Sequence, residues 1–179
     1  IWSRLVGSEM CIRDRCKART MKTWIMMRHG KSSWEYNLPD LNRPLSKRGE
    51  NDSKKISSLL KQKQIIVDYA FSSPALRAKN TAEIVLNGIN HPKHLYGEEP
   101  SLYDFEGDNV INFVKNLDNK ISIVMTFGHN SACTNIFNTF SNKYVDNIPT
   151  AGTVIYHFKV SLWSSISDAS TEHFFPKLI

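Results

Sequence analysis

Apolar residues in this chain fall into short unbroken runs separated by stretches of helical spacing, and the two patterns take turns. Residues 23–28, TWIMMR, form a run that stops abruptly at Arg28-His29-Gly30. Its brevity predicts a buried strand. Ser46 then stands where a helix cap is expected, and Leu45, Ile56, Leu59 and Leu60 give one apolar face to a helix reaching about Lys63. Residues 67–71 predict a second strand. Ser72-Ser73-Pro74 offers a cap serine and a proline at the first helical position. The helix it opens carries Ala75, Ala78, Ala82, Ile84 and Val85, and Asn87-Gly88 stops it. Residues 90–104 read as a loop with a short strand near 94–96. Asp108 is a cap for a helix bearing Val110, Ile111, Val114 and Leu117. Residues 120–127 make the clearest central strand, 131–141 a helix and 152–160 the last strand.

Continuous apolar strands alternating with helices imply an α/β fold whose mainly parallel sheet carries helices on both faces. No internal repeat or linker divides it, so residues 21–179 read as one domain. Residues 1–20 show neither a helical stripe nor alternation, and their apolar residues never gather into a signal-peptide core. Met21 opens the strand pattern, so the native start is expected there. The first twenty residues are expected to be a non-native or disordered extension, because GSEMCIRDR resembles translated adapter sequence.

A composition of 41% hydrophobic and 22% charged residues excludes a wholly disordered chain, a collagen and a coiled-coil rod. No apolar run approaches the roughly 18 residues that a membrane helix needs, so no membrane partner is expected. Three cysteines are too few and too odd a number for a disulfide framework, which points to a reducing, cytoplasmic compartment. The net charge is +6, and the basic excess of residues 1–20 supplies half of it. Such a field favours anionic substrates. Without a basic run interleaved with aromatics, it does not point to nucleic acid.

Open α/β sheets bind ligands beyond the carboxyl ends of their strands. Three of the expected strands end in reactive or cationic residues: Arg28-His29-Gly30, Ser72-Ser73-Pro74 with Arg77 close behind, and Gly128-His129-Asn130. The fold rule gathers them at one edge. Two histidines, two arginines and a helix N-terminus in one pocket suit an oxyanion, most naturally phosphate.

Those blocks resemble the histidine phosphatase superfamily, the phosphoglycerate-mutase-like group. Met27-Arg28-His29-Gly30 with Lys31-Ser32-Ser33-Trp34 is similar to its defining motif. Arg43-Pro44-Leu45-Ser46-Lys47-Arg48-Gly49, Ser72-Ser73-Pro74-Ala75-Leu76-Arg77-Ala78 with Thr81-Ala82, and Gly128-His129-Asn130 resemble the segments that follow, in order. Pro149-Thr150-Ala151-Gly152 occurs where short SixA-like members carry a similar stretch. The resemblance implies a three-layer phosphoglycerate-mutase-like sandwich and, given the short chain, the SixA-like branch of protein-phosphohistidine phosphatases. It makes His29 the nucleophile and Arg28, Arg77 and His129 the phosphate-binding residues, with Asn130 beside them and a protonated His129 as a third donor. Arg43 is a candidate for a substrate role or a surface arginine before a turn.

Larger members use a glutamate to protonate the leaving oxygen, and SixA-like members lack it. Tyr103-Asp104-Phe105-Glu106-Gly107-Asp108 offers three carboxylates, of which Glu106 is the preferred candidate for the general acid. Gly30-Lys31-Ser32 looks like the end of a P-loop, but Ile25 stands where its first glycine belongs. His91-Pro92-Lys93-His94 lacks a third clustered ligand and reads as a surface loop. Trp163 and Phe174-Phe175-Pro176 are expected to pack over the sheet. The expected protein is a phosphohydrolase working through a phosphohistidine intermediate, with no metal and no cofactor. Its expected partner is a phosphorylated substrate, with a phosphohistidine protein preferred. The alternatives are a small-molecule phosphomonoesterase on the same site and a catalytically silent phosphate- or phosphoprotein-binding module. A mutase is disfavoured because the chain lacks substrate-enclosing insertions.

Overall fold

Alternate residues of the first strand, β1 (Lys22–Arg28), are buried in two different places. Trp24 and Met26 join one apolar cluster; Ile25 and Met27 join another. That is the signature of a strand with both faces covered. The computed structural model describes residues 21–35 and 37–179. The expected extension at residues 1–20, with Cys11 and Cys16, lies outside the described residues.

Six strands form one sheet in the order β3-β2-β4-β1-β5-β6. The others are β2 (Tyr69–Ser72), β3 (Tyr96–Glu98), β4 (Ile123–Gly128), β5 (Thr153–Phe158) and β6 (Ser170–Phe174). β3, β2, β4 and β1 pair in parallel, whereas β1–β5 and β5–β6 are antiparallel. The sheet is therefore mixed, not mainly parallel as the alternation suggested. After the last helix, residues 141–152 lead the chain back to the edge at which β1 and β4 end. There Gly152 O accepts the Arg28 N–H, and β5 starts out against its neighbour. β6, absent from the sequence expectation, pairs as an edge strand whose pattern is mostly exposed.

Four helices connect these strands: α1 (Lys47–Gln62), α2 (Leu76–Gly88), α3 (Asp108–Lys115) and α4 (Asn130–Phe140). Ser46 caps α1 by accepting the Gly49 N–H, as the sequence suggested. Ile56 and Leu60 of α1 share a cluster with Ala82, Val85 and Leu86 of α2. Val110 and Val114 of α3 share the other with Ile136 and Phe137 of α4. Truncating Ile56 to alanine would cost about 2–5 kcal/mol, since it is fully buried.

Two local expectations are corrected, at Pro74 and at Asp108. Pro74 is not the first residue of α2, which begins at Leu76 after Ala75; Ser73 is held by other partners, described below. Asn87-Gly88 does end α2: Gly88 is its last helical residue, where a Cβ would come within 1.9 Å of Ser57 Oγ on α1. The left-handed turn falls at Asn90. Asp108 is not the cap of α3. Asp104 does that work, accepting the N–H groups of Glu106, Gly107 and Asn109. Trp163 is fully buried and donates its indole N–H to Ile121 O. Among the described residues, no helix is long and apolar enough to cross a membrane.

Candidate active site

Strand register assembles the site. Arg28 lies opposite Gly128 on β1 and β4, so His29 and His129, each one residue further on, emerge side by side. The His29 N–H donates to Gly128 O at 3.0 Å, and their imidazole centroids are 5.3 Å apart. Ser72 of β2 lies opposite Phe127, which places Ser73 next in line. Three separate sequence blocks thereby meet at the carboxyl edge of three parallel strands.

Local contacts then fix each group. Gly30 N–H donates to Thr81 Oγ1, which in turn donates to Arg77 O, linking the His29 turn to the first turns of α2. Gly30 has no room for a side chain: a Cβ would sit 2.8 Å from Gly49 O. On the other side, Ala151 N–H donates to His29 O, and Ala151 holds a left-handed φ of 58° to do so. The histidine's backbone is thus pinned from both neighbouring segments.

The hydrogen bonds define the tautomers. Gly30 O can only accept, so His29 Nδ1 carries the proton at 2.7 Å and Nε2 presents a lone pair. Arg77 Nε donates to that Nε2 at 3.1 Å, and Arg77 Nη2 donates to His129 Nδ1 at 3.2 Å. His129 Nε2–H then donates to Ser73 Oγ at 2.8 Å. All three central side chains are at most 9% exposed. Burial first, and then the charges of His129, Arg77 and Arg28, bring His29 down to about 3; its bond to Gly30 O opposes them. His129 falls to about 4, through burial and Arg77, with Asp40 acting the other way. Both imidazoles are neutral at pH 7, so the protonated His129 expected from sequence is not what this setting favours.

The structure brings His29, Arg77 and His129 into direct contact. Arg28 stands beside them: its charge acts on both histidines, while Nη1 donates to Ile148 O and Asn147 Oδ1. Its Nε is buried without a partner. Asn130 opens α4 directly after His129, and its Oδ1 is likewise buried and unpartnered. Glu106 lies outside the hydrogen-bonded cluster. Its side chain is exposed, and its main chain is engaged by Asp104 and Asn135.

Asp40, Tyr103 and Phe105 escaped the sequence reading. The Asp40 carboxylate accepts from Arg77 Nη2 at 2.8 Å, from Arg43 Nη2 and from the Tyr103 hydroxyl at 2.8 Å. Burial would raise its pKa, but the hydrogen bonds from Tyr103 and Arg77 and the Arg77 charge bring it to about 2. Tyr103 and Phe105 also pack on the His129 ring, with centroids 5.1 Å away in each case. Arg43 is buried beneath the exposed Trp34 indole, 3.8 Å from the ring centroid. Among the described residues, no cluster of three or more His, Cys, Asp or Glu could hold a metal ion.

Residues 24–104 match the family model of the histidine phosphatase superfamily (branch 1). A 2,3-bisphosphoglycerate-dependent phosphoglycerate mutase of Bifidobacterium longum is 36% identical over 69 residues, covering 37% of this chain and 28% of that protein. An uncharacterized chloroplastic protein of Arabidopsis thaliana is 31% identical over 117 residues, 59% of this chain and 53% of that protein. The chain thus spans 28% and 53% of the lengths of these curated relatives. Among solved structures, the protein histidine phosphatase SixA complexed with tungstate has a TM-score of 0.74 at 20% identity, covering 87% of this chain and 98% of that one. A putative phosphohistidine phosphatase SixA from Agrobacterium tumefaciens has a TM-score of 0.68 at 18% identity, with coverage of 77% and 92%. At these identities the two structures speak for the fold.

Proposed function

We propose that this chain, whose residues 24–104 match the histidine phosphatase superfamily model, is a phosphohydrolase of that superfamily acting through phospho-His29 on phosphohistidine in proteins. The observation that carries the reading is the His29 ring. Its Nδ1 proton is tied to Gly30 O, which leaves Nε2 as an unprotonated nucleophile facing Arg77 and His129. Nε2 attacks phosphorus in line, the P–N or P–O bond to the leaving group breaks, and the leaving group departs with that electron pair. Water then attacks phospho-His29, giving inorganic phosphate and restoring the imidazole. Arg77 and Arg28 stabilise the equatorial oxygens. Asn130 is a further candidate for holding the phosphoryl group.

Substrate preference follows from the acid. The carboxylate bonded into the cluster, Asp40, is held near a pKa of about 2 and delivers no proton at neutral pH. Glu106 stands outside the cluster. An alkyl ester leaves as a strongly basic alkoxide and needs that proton. A phosphohistidine leaves as a neutral imidazole once its ring is protonated, and needs none. A phosphoprotein partner fits this chemistry. The second reading, a small-molecule phosphomonoesterase, draws on the mutase relative and on a fold shared with a putative α-ribazole-5'-P phosphatase from Escherichia coli (TM-score 0.63, 13% identity). A panel of phosphohistidine peptides, phosphoserine peptides, aryl phosphates and sugar phosphates decides between them. The expected order of kcat/KM is phosphohistidine, then aryl phosphate, then alkyl phosphate. A sugar phosphate turned over faster than a phosphohistidine peptide would select the second reading. Acid-labile phosphate trapped on His29 separates either enzyme from a silent binding module.

A further inference from the structure

A guanidinium has two edges that can grip a pair of acceptors. In Arg77 the edge formed by Nε and Nη2 faces His29 Nε2 and His129 Nδ1. The edge formed by Nη1 and Nη2 is held by one residue, Asp40. The Asp40 main-chain oxygen accepts from Nη1, and its carboxylate Oδ2 accepts from Nη2. Asp40 itself is well secured. Arg43 bonds its other carboxylate oxygen, and the Tyr103 hydroxyl bonds Oδ2. The loop that carries it is closed at its base by the Ser32–Leu45 bridge and by the Ser33 N–H to Pro44 O and Ser46 N–H to Lys31 O bonds.

We propose that Asp40 is the positioning residue of Arg77, gripping its outer edge so that the inner edge stays turned toward the phosphoryl group on His29. The proposal rests on the phosphohydrolase reading above and adds a residue to it. A buried arginine with a long stem can roll about its last torsions, and only one roll presents Nε and Nη2 together to oxygens attached to His29 Nε2. Hydrogen bonds from Asp40's backbone and side chain to one edge select that roll. Asp40 does not compete for the phosphoryl group, because it lies on the edge turned away from both histidines.

Asp40→Ala and Asp40→Asn, compared with wild type, test the assignment. Misaligning the arginine by a fraction of an ångström to 1 Å is expected to lower kcat of Asp40→Ala roughly 10- to 100-fold. Inorganic phosphate affinity should stay within about threefold. Inhibition by orthovanadate, whose five-coordinate form resembles the transition state, should weaken by the same factor as kcat. Asp40→Asn, which keeps one side-chain acceptor, should lie between. Tighter phosphate binding with undiminished kcat would make Asp40 an anion plug and overturn the proposal. Equal weakening of phosphate and vanadate would make it an ordinary binding contact, with the same consequence. Nitrogen-15 NMR of the Arg77 side chain gives a readout independent of turnover. Its Nη hydrogens should be resolved in wild type and averaged in Asp40→Ala, and identical spectra would overturn the assignment. Failure of wild type to form acid-labile phosphate on His29 would instead sink the phosphohydrolase reading and leave the NMR comparison standing.

Discussion

The two halves of the sheet do different jobs. The parallel half, β3-β2-β4-β1, delivers side chains: His29, Ser73 and His129 each follow directly after one of its strands. The antiparallel half, β5 and β6, contributes no side chain to the hydrogen-bonded cluster. The connection leading into β5 gives chiefly backbone, through Ile148 O to Arg28, Ala151 N–H to His29 and Gly152 O to Arg28, with the Asn147 side chain as a further acceptor for Arg28. Parallel strands all end at one edge, so each can place a reactive group there without leaving the sheet. An antiparallel strand starts at that edge, and the chain arriving there braces what the others present.

This division can be broken at its strongest point first. His29→Ala should abolish phosphoenzyme and nearly all turnover, with the circular dichroism spectrum and melting temperature little changed. Turnover within tenfold of wild type would remove His29 from the chemistry. Arg77→Ala should lower kcat by roughly 10²–10³ if it acts like other preorganised oxyanion donors, and Arg77→Lys should recover little of it because an ammonium has no second prong. On the bracing side, Trp163→Ala should cost about 3–5 kcal/mol in urea denaturation, yet leave turnover per folded molecule unchanged.

Acidity sharpens the comparison further. His29 and His129 titrate at about 3 and about 4, so the acid limb of kcat/KM should fall there and not near the ordinary imidazole value of about 6.5. Both folded values are depressed, so the unfolded chain binds these protons more readily. Their contribution to stability is present above about pH 6.5 and is lost as the pH falls toward 4 and 3. Urea midpoints measured at pH 7 and pH 5 should show that loss, and His29→Ala should reduce it. The smallest effect is expected at Glu106→Gln, with alkyl-phosphate hydrolysis within about twofold of wild type. A selective tenfold loss there would return Glu106 to the role of general acid.

The sequence was easiest to read where one residue type answers one physical demand. TWIMMR is apolar because both faces of β1 are covered, and Ser46 is a serine because α1 leaves an amide to cap. The strand-end blocks were legible as a set because parallel topology maps them onto one edge. Direction was not legible in β5, whose apolar run looks the same whichever way it pairs. β6 was hidden by its exposed, polar pattern. Asp40 escaped because its partners, Arg43, Arg77 and Tyr103, are brought to it by loops, and no local spacing marks an aspartate that will meet them. Among the carboxylates between Tyr103 and Asp108, sequence alone could not tell a cap from an acid; in the structure Asp104 holds the start of α3.

The position of β1 in the sheet has a consequence for synthesis. Among the six strands of the described sheet it is the first made, and both of its neighbours, β4 and β5, come after β2 and β3. His129 follows His29 by 100 residues, the difference of the two numbers. At about 5–20 residues per second, that is a delay of roughly 5–20 s. During this interval TWIMMR leaves the ribosome with no partner strand on either side, although the helices that later cover one of its faces are already complete. The newborn chain therefore carries an unpaired apolar strand and a His29 without its neighbour His129, and the closing of β4 against β1 ends both conditions in one event.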